Sequence, residues 1–171
     1  MANNLENHIP IIPTCNDLED IIKVKKAIEI SGKYNLPEKC IISGLGPDTN
    51  IALGYDKNPG KENLDYHENA HKPILDNTNW MIGVDIKSRN SIENILNTFP
   101  PGTKGKYILI SYPLHLIRFK RIIKDAKKAN KISKEVEIKF SPTKQRLRWI
   151  PYEILSTIKY FRIGKKRYFG N

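Results

Sequence analysis

Cysteine is scarce: the chain of 171 residues holds two, Cys15 and Cys40, in no close-spaced pair. That excludes a zinc knuckle, a dithiol redox motif and a disulfide framework, and leaves two buried, reduced thiols as the expectation. Long apolar runs are also missing. No eighteen consecutive apolar residues occur, and Met1 to His8 lacks a positive charge followed by an apolar stretch. Neither a membrane span nor a signal peptide is expected, and the cytoplasm is the default compartment. No fixed-period repeat or low-complexity tract is present, and Lys144 to Arg148 reads as a basic linker.

What the chain does have is charge, unevenly placed. Residues 1–100 carry ten Lys/Arg against fourteen Asp/Glu, whereas residues 101–171 carry nineteen against four, for an overall net charge of +11. A basic half of this strength attracts phosphates, nucleic acid or an anionic surface, and equally serves as a solvated face. With 39% hydrophobic residues there is material for one sizeable core, and residues 1–162 read as a single domain followed by a basic, aromatic tail over 163–171.

Short β-branched runs alternate with helical periodicity, which indicates βα units. Ile9 to Thr14 is a strand candidate that Pro10 and Pro13 should make an edge or a distorted strand, because neither can donate to a ladder. Asn16 and Glu19 form a capping box for a helix with Leu18, Ile21, Ile22 and Ile28 on one face, running to Gly32. Cys40-Ile41-Ile42 reads as a buried strand ending in Ser43-Gly44-Leu45-Gly46. Residues 47–64 read as an irregular excursion, and a helix around Tyr66 to Leu75 is bent or broken by Pro73. Trp80 to Val84 and Tyr107 to Ile110 are further strands, separated by a helix capped at Asn90 and stopped by Pro100-Pro101-Gly102. A helix from Leu114 to Ala129 should bury Leu114, Ile117, Ile122 and Ala126. Val136, Ile138 and Phe140 alternate as a strand, and Pro151 opens a last helix. The fold class is therefore α/β, a Rossmann-like three-layer sandwich with a mostly parallel sheet of about five strands.

Strands joined through helices run parallel, so their carboxyl ends open on one edge. The residues expected there are Thr14-Cys15-Asn16, Ser43 and Gly44, Asp85 to Asn90, Ser111 to His115, and Ser141. Such edges bind ligands, although Ser and Asn at strand ends equally cap helices. His115 could move a proton and Arg118, one turn on, could clamp an anion; Asp85 is the alternative acid/base group, or simply a strand end. Ser43-Gly44-Leu45-Gly46 lacks the third glycine of a dinucleotide fingerprint and the Gly-Lys-Ser/Thr of a phosphate loop. His67-Glu68-Asn69-Ala70-His71 matches the zinc-protease pattern formally, but Pro73 disrupts the helix and a third ligand is not evident, so no metal is expected. Lys144-Gln145-Arg146-Leu147-Arg148-Trp149 and Lys165-Lys166-Arg167-Tyr168-Phe169 interleave cations with aromatics. That suits stacked single-stranded nucleic acid or a solvated patch, leaving nucleic acid as an alternative partner through Lys165, Lys166 and Arg167.

Three ordered segments, Cys40-Ile41-Ile42-Ser43-Gly44, Ser88-Arg89-Asn90-Ser91-Ile92-Glu93-Asn94 and Ser111 to Arg118, together resemble the YdcF-like family, the SanA/ElyC/YdcF group. The similarity spans about residues 20–162. It implies a Rossmann-like sandwich and a ligand site in which Ser43, Gly44, Glu68, Ser88, Asn90, Ser111 and Arg118 contact the ligand, and Asp85 and His115 are the catalytic candidates. Leu45 replaces the family's second glycine, Ser91 stands for its threonine, and the family's glycine turn after the first strand is absent. No reaction is implied. A nucleotide-like ligand such as S-adenosylmethionine is the cofactor class the resemblance suggests.

Overall fold

A computed structural model of the chain describes residues 5, 7–13, 17–44, 76, 78–85, 87–88, 90–144, 147 and 150–170. Five strands, β1 (Ile9–Pro13), β2 (Lys39–Ser43), β3 (Met81–Asp85), β4 (Gly105–Ser111) and β5 (Val136–Pro142), form one sheet in the order β3-β2-β1-β4-β5. Every pairing is parallel. Helix α1 (Asp17–Tyr34) follows β1, α2 (Ser91–Thr98) follows β3 and α3 (Pro113–Lys128) follows β4. Beyond β5 come α4 (Ile150–Lys159), a π-helical turn (Tyr160–Gly164) and α5 (Lys165–Phe169), so the basic tail is helical through Phe169.

The chain winds outward from β1 through β2 to β3, then crosses to β4 and winds the other way, which puts the topological switch point between β1 and β4. Helix α1 packs on one face, where Val24, Ala27 and Ile30 meet Ile12, Ile42, Ile108 and Ile110. On the other face lie α2, α3 and the C-terminal helices, around Ile11, Ile95, Phe99, Leu109, Phe119 and Tyr160. This is the three-layer α/β sandwich expected from the alternating pattern.

β1 is central rather than an edge. Ile11 and Ile12 are 2% and 0% exposed; consecutive strand residues point to opposite faces, so both are covered only in a strand with helices above and below. Burial of that pair outweighs the two donors Pro10 and Pro13 lack. α1 also buries more than its apolar stripe: Ile21, Ile22 and Ile28 are only partly covered, while Asp20 and Lys23 are completely buried. In α3, Ile117 is exposed and Leu114 half-covered, whereas Leu116, Phe119, Ile122, Ile123 and Ala126 are buried. The stripe is wide because α3 sits between the sheet and the C-terminal segment, where Tyr160 donates to Asp125 at 2.6 Å. Gly164 lies close against α2, where an added Cβ would sit 2.9 Å from Ile92 Cδ1, the mobile end of that side chain. Cys40 is buried, and burial pushes its thiol up to about 12, which keeps it protonated and unreactive.

Thr14, Cys15, Asn16, the Leu45-Gly46 end of the first glycine loop, the excursion over 47–64, the helix expected around Tyr66 to Leu75 with Glu68 and the His67/His71 pair, and Arg146, Arg148 and Trp149 lie outside the described residues.

Candidate functional site

The carboxyl ends of β2 and β3 are tied together by one carboxylate. Asp85 accepts from Ser43 Oγ at 3.1 Å, from the backbone N–H of Lys87 at 3.0 Å and of Ser88 at 3.3 Å, and from Ser88 Oγ. Asn97 Nδ2 donates to Ser88 Oγ at 2.9 Å, and Thr98 Oγ1 to Ser43 Oγ at 3.3 Å, so α2 is stitched to the same clasp. Gly44 follows with φ +102°, the left-handed backbone that glycine supplies without strain. Both serines are buried. Ser43, Asp85 and Ser88 thus shape the edge with bonds to one another.

Asn90 caps α2: its Oδ1 accepts from the N–H of Ile92 at 3.0 Å and of Glu93 at 3.1 Å. Its amide donates to Glu93 Oε1 at 3.0 Å and to the Tyr168 hydroxyl at 3.2 Å. The cap read from sequence at Asn90 is present, and both ends of its amide are engaged.

A second cluster gathers at the end of β4. His115, 3% exposed, lies with Nδ1 3.0 Å from Ser111 Oγ and Nε2 3.3 Å from Ser91 Oγ. Its ring stacks on Phe119 with centroids 4.3 Å apart. Arg118 Nη2 donates to Ser91 Oγ at 3.0 Å and Nη1 pairs with Glu153 Oε2 at 3.1 Å. The Tyr112 hydroxyl donates to the other Glu153 oxygen at 3.0 Å. Burial pushes His115 well below the ordinary imidazole value, and the cations of Arg118 and Lys23 act in the same direction. With the ring neutral, either tautomer satisfies every pair: Arg118 donates to Ser91, and either Ser91 donates to Nε2 while Nδ1–H donates to Ser111, or Nε2–H donates to Ser91 while Ser111 donates to Nδ1.

That neutrality has a pH signature. Unfolded His115 takes a proton below about pH 6.5 and the folded ring resists it, so stability is complete above that value and declines as pH falls toward the folded value, by up to about 1.4 kcal/mol per pH unit. Chemical denaturation of wild type and His115→Gln from pH 8 to pH 5 is expected to show a shallower acid slope in the variant. Identical slopes would mean the imidazole is not held neutral.

The switch point itself is crossed by Lys23, whose ammonium donates to the Pro13 carbonyl, pairs with Asp20 at 3.0 Å and lies 5.5 Å above the Tyr112 ring. The open space is displaced to one side. A cleft of about 430 Å³ lies between the start of α2, the flank of α3 and the C-terminal helices, lined by Ser91, Arg118, Tyr152, Lys159, Arg167 and Tyr168 among others. Its size suits a small molecule. Arg118 Nε is buried without a hydrogen-bond partner, so this guanidinium retains an unfilled donor.

Of the residues proposed from sequence, Ser111, His115 and Arg118 come together directly, and Ser43, Asp85 and Ser88 form the neighbouring clasp. Ser91, Lys23, Tyr112 and Glu153 were not singled out for a role at the site. Glu153 had a usable signal, as one of only four acids among nineteen cations in residues 101–171. No group of three or more metal-ligating side chains occurs among the described residues.

Fold and site define a doubly wound α/β protein with a buried polar cluster at its strand ends and a basic cleft beside it. Comparison with family models, curated proteins and solved structures finds no match.

Proposed function

We propose that this is a YdcF-like protein of the cytoplasm that binds a small anionic or nucleotide-like ligand at the carboxyl edge of the sheet, the anion entering the cleft beside Ser91 and Arg118. One observation carries the reading. Arg118, 6% exposed, lines the cleft, holds the Ser91 hydroxyl and keeps one donor unfilled, while Lys159 and Arg167 add positive charge to the same walls. A buried guanidinium with exposed cations around it is what a phosphate or carboxylate requires. Ser91 lines the cleft and His115 stands behind it at 3.3 Å, so any proton held or passed at the bound ligand would move through the Ser91 hydroxyl.

Thermal unfolding with inorganic phosphate, nucleotides, S-adenosylmethionine, phosphosugars and short single-stranded oligonucleotides tests this. A ligand at one hundred times its Kd stabilises by about 2.7 kcal/mol, roughly 5–10 °C for a chain of this size. The expected result is a shift by one small anion that Lys159→Gln and Arg167→Gln diminish without altering the unliganded melting point. The competing reading, nucleic-acid binding by the basic half, predicts instead a salt-sensitive oligonucleotide shift that depends on Lys165 and Lys166 and ignores Lys159→Gln.

A further inference from the structure

The C-terminal helical segment leaves a large apolar face that no described residue covers. Among the described residues, every exposed large hydrophobic except Met81 and Ile117 lies between Leu147 and Ile163. In α4 the buried side is marked by Glu153, and Tyr160 continues it into the π-helical turn. At 100° per residue the opposite, outward side carries Ile154, Leu155 and Ile158, which are 50%, 66% and 43% exposed. Phe161, 50% exposed, extends the flank of this stripe. Isolated exposed apolar residues are ordinary, but a contiguous stripe on one helix face marks an interaction surface.

Charge chooses the occupant. Lys159, Arg162, Lys166 and Arg167 are all exposed on the same short segment, and the described helices around it belong to the half with fifteen more cations than anions. A second copy of the chain would bring two such surfaces together and oppose like charges. Nucleic acid would satisfy the cations and could stack on Tyr152 or Phe161, but it would leave the aliphatic stripe of Ile154, Leu155 and Ile158 facing water. An anionic bilayer satisfies both halves of the surface, since aliphatic side chains enter the acyl boundary while Lys and Arg meet the headgroups. No described helix is long and apolar enough to cross a membrane, so this one would lie in the interface plane. We infer that the outward face of the segment 150–167 docks the protein on anionic membrane surfaces, with Ile154, Leu155 and Ile158 inserted and Arg162 and Lys166 on the headgroups. This surface is independent of the ligand cleft on the inner side of the segment.

Flotation of the full chain with vesicles tests the inference, comparing phosphatidylcholine alone with a mixture of phosphatidylcholine and phosphatidylglycerol. Binding to the mixed vesicles is expected, weakened by salt and near background on phosphatidylcholine. Leu155→Ser with Ile158→Ser should lower the partition coefficient by about tenfold or more. Arg162→Gln with Lys166→Gln should lower it as well and flatten its salt dependence. Because all four side chains are exposed or rim positions, circular dichroism should show an unchanged fold. Absence of binding to the mixed vesicles, or binding that the two serine substitutions leave intact, would overturn the inference. So would sedimentation showing a dimer dispersed by those substitutions, which would assign the face to a second copy. Arg162 and Lys166 do not line the cleft, so failure here leaves the small-ligand shift to be judged separately.

Discussion

Replacing Arg118 by Met is expected to cost about 3–5 kcal/mol of stability, the penalty for removing one partner of a buried ion pair. The pair joins α3 to α4, with the Arg118 and Glu153 side chains 7% and 1% exposed. Burial raises Glu153 above its ordinary value, while Arg118, the Tyr112 hydroxyl and Lys23 pull it back. Without Arg118 the carboxyl rises further, so the folded variant binds a proton that the unfolded chain gives up above about pH 4.3. Its stability is then highest in acid and is lost as pH rises through the folded value. Urea denaturation at pH 5 and pH 8 should show the larger loss at pH 8, and Arg118→Met with Glu153→Gln should recover most of it. A loss that is equal at both pH values and unrelieved by the second substitution would show that packing, not charge, holds α4 in place.

Removing Asp85 is the next largest effect. Asp85→Ala should destabilise by about 2–3 kcal/mol, because four donors from Ser43, Lys87 and Ser88 lose one acceptor. Asp85→Asn keeps one acceptor oxygen but presents an amide to the Ser88 hydroxyl, and should fall between. The consequence reaches the site, since the clasp sets the loop that delivers Asn90 and Ser91 to the start of α2. Hydrogen exchange should therefore quicken in the first turn of α2 for Asp85→Ala, while α1 on the opposite face is unchanged. Uniform loss of protection would make the clasp a global rather than a local support.

Much of this was legible locally. The cap at Asn90 is present because its bonds join residues two and three apart, and periodicity located β2, β4 and α2. The strand ends also converged as a parallel sheet demands, bringing Ser111, His115 and Arg118 together. The position of β1 was misread because proline is a local signal, whereas the covering of Ile11 and Ile12 depends on helices contributed by distant segments. Ile117 was misplaced for a similar reason: α3 has two buried sides, and the second belongs to a segment some forty residues later.

The amino-acid sequence by itself determined the alternating βα pattern, the polar residues at each strand end and the excess of positive charge in residues 101–171, because each is written in the chain before it folds. Only the tertiary structure decided which charges are buried, as with Lys23, Arg118 and Glu153, and which apolar residues are left outside, as with Leu155 and Ile158. Burial is a property of what packs against a side chain, and for these residues the packing partners, or their absence, come from elements far away in the chain.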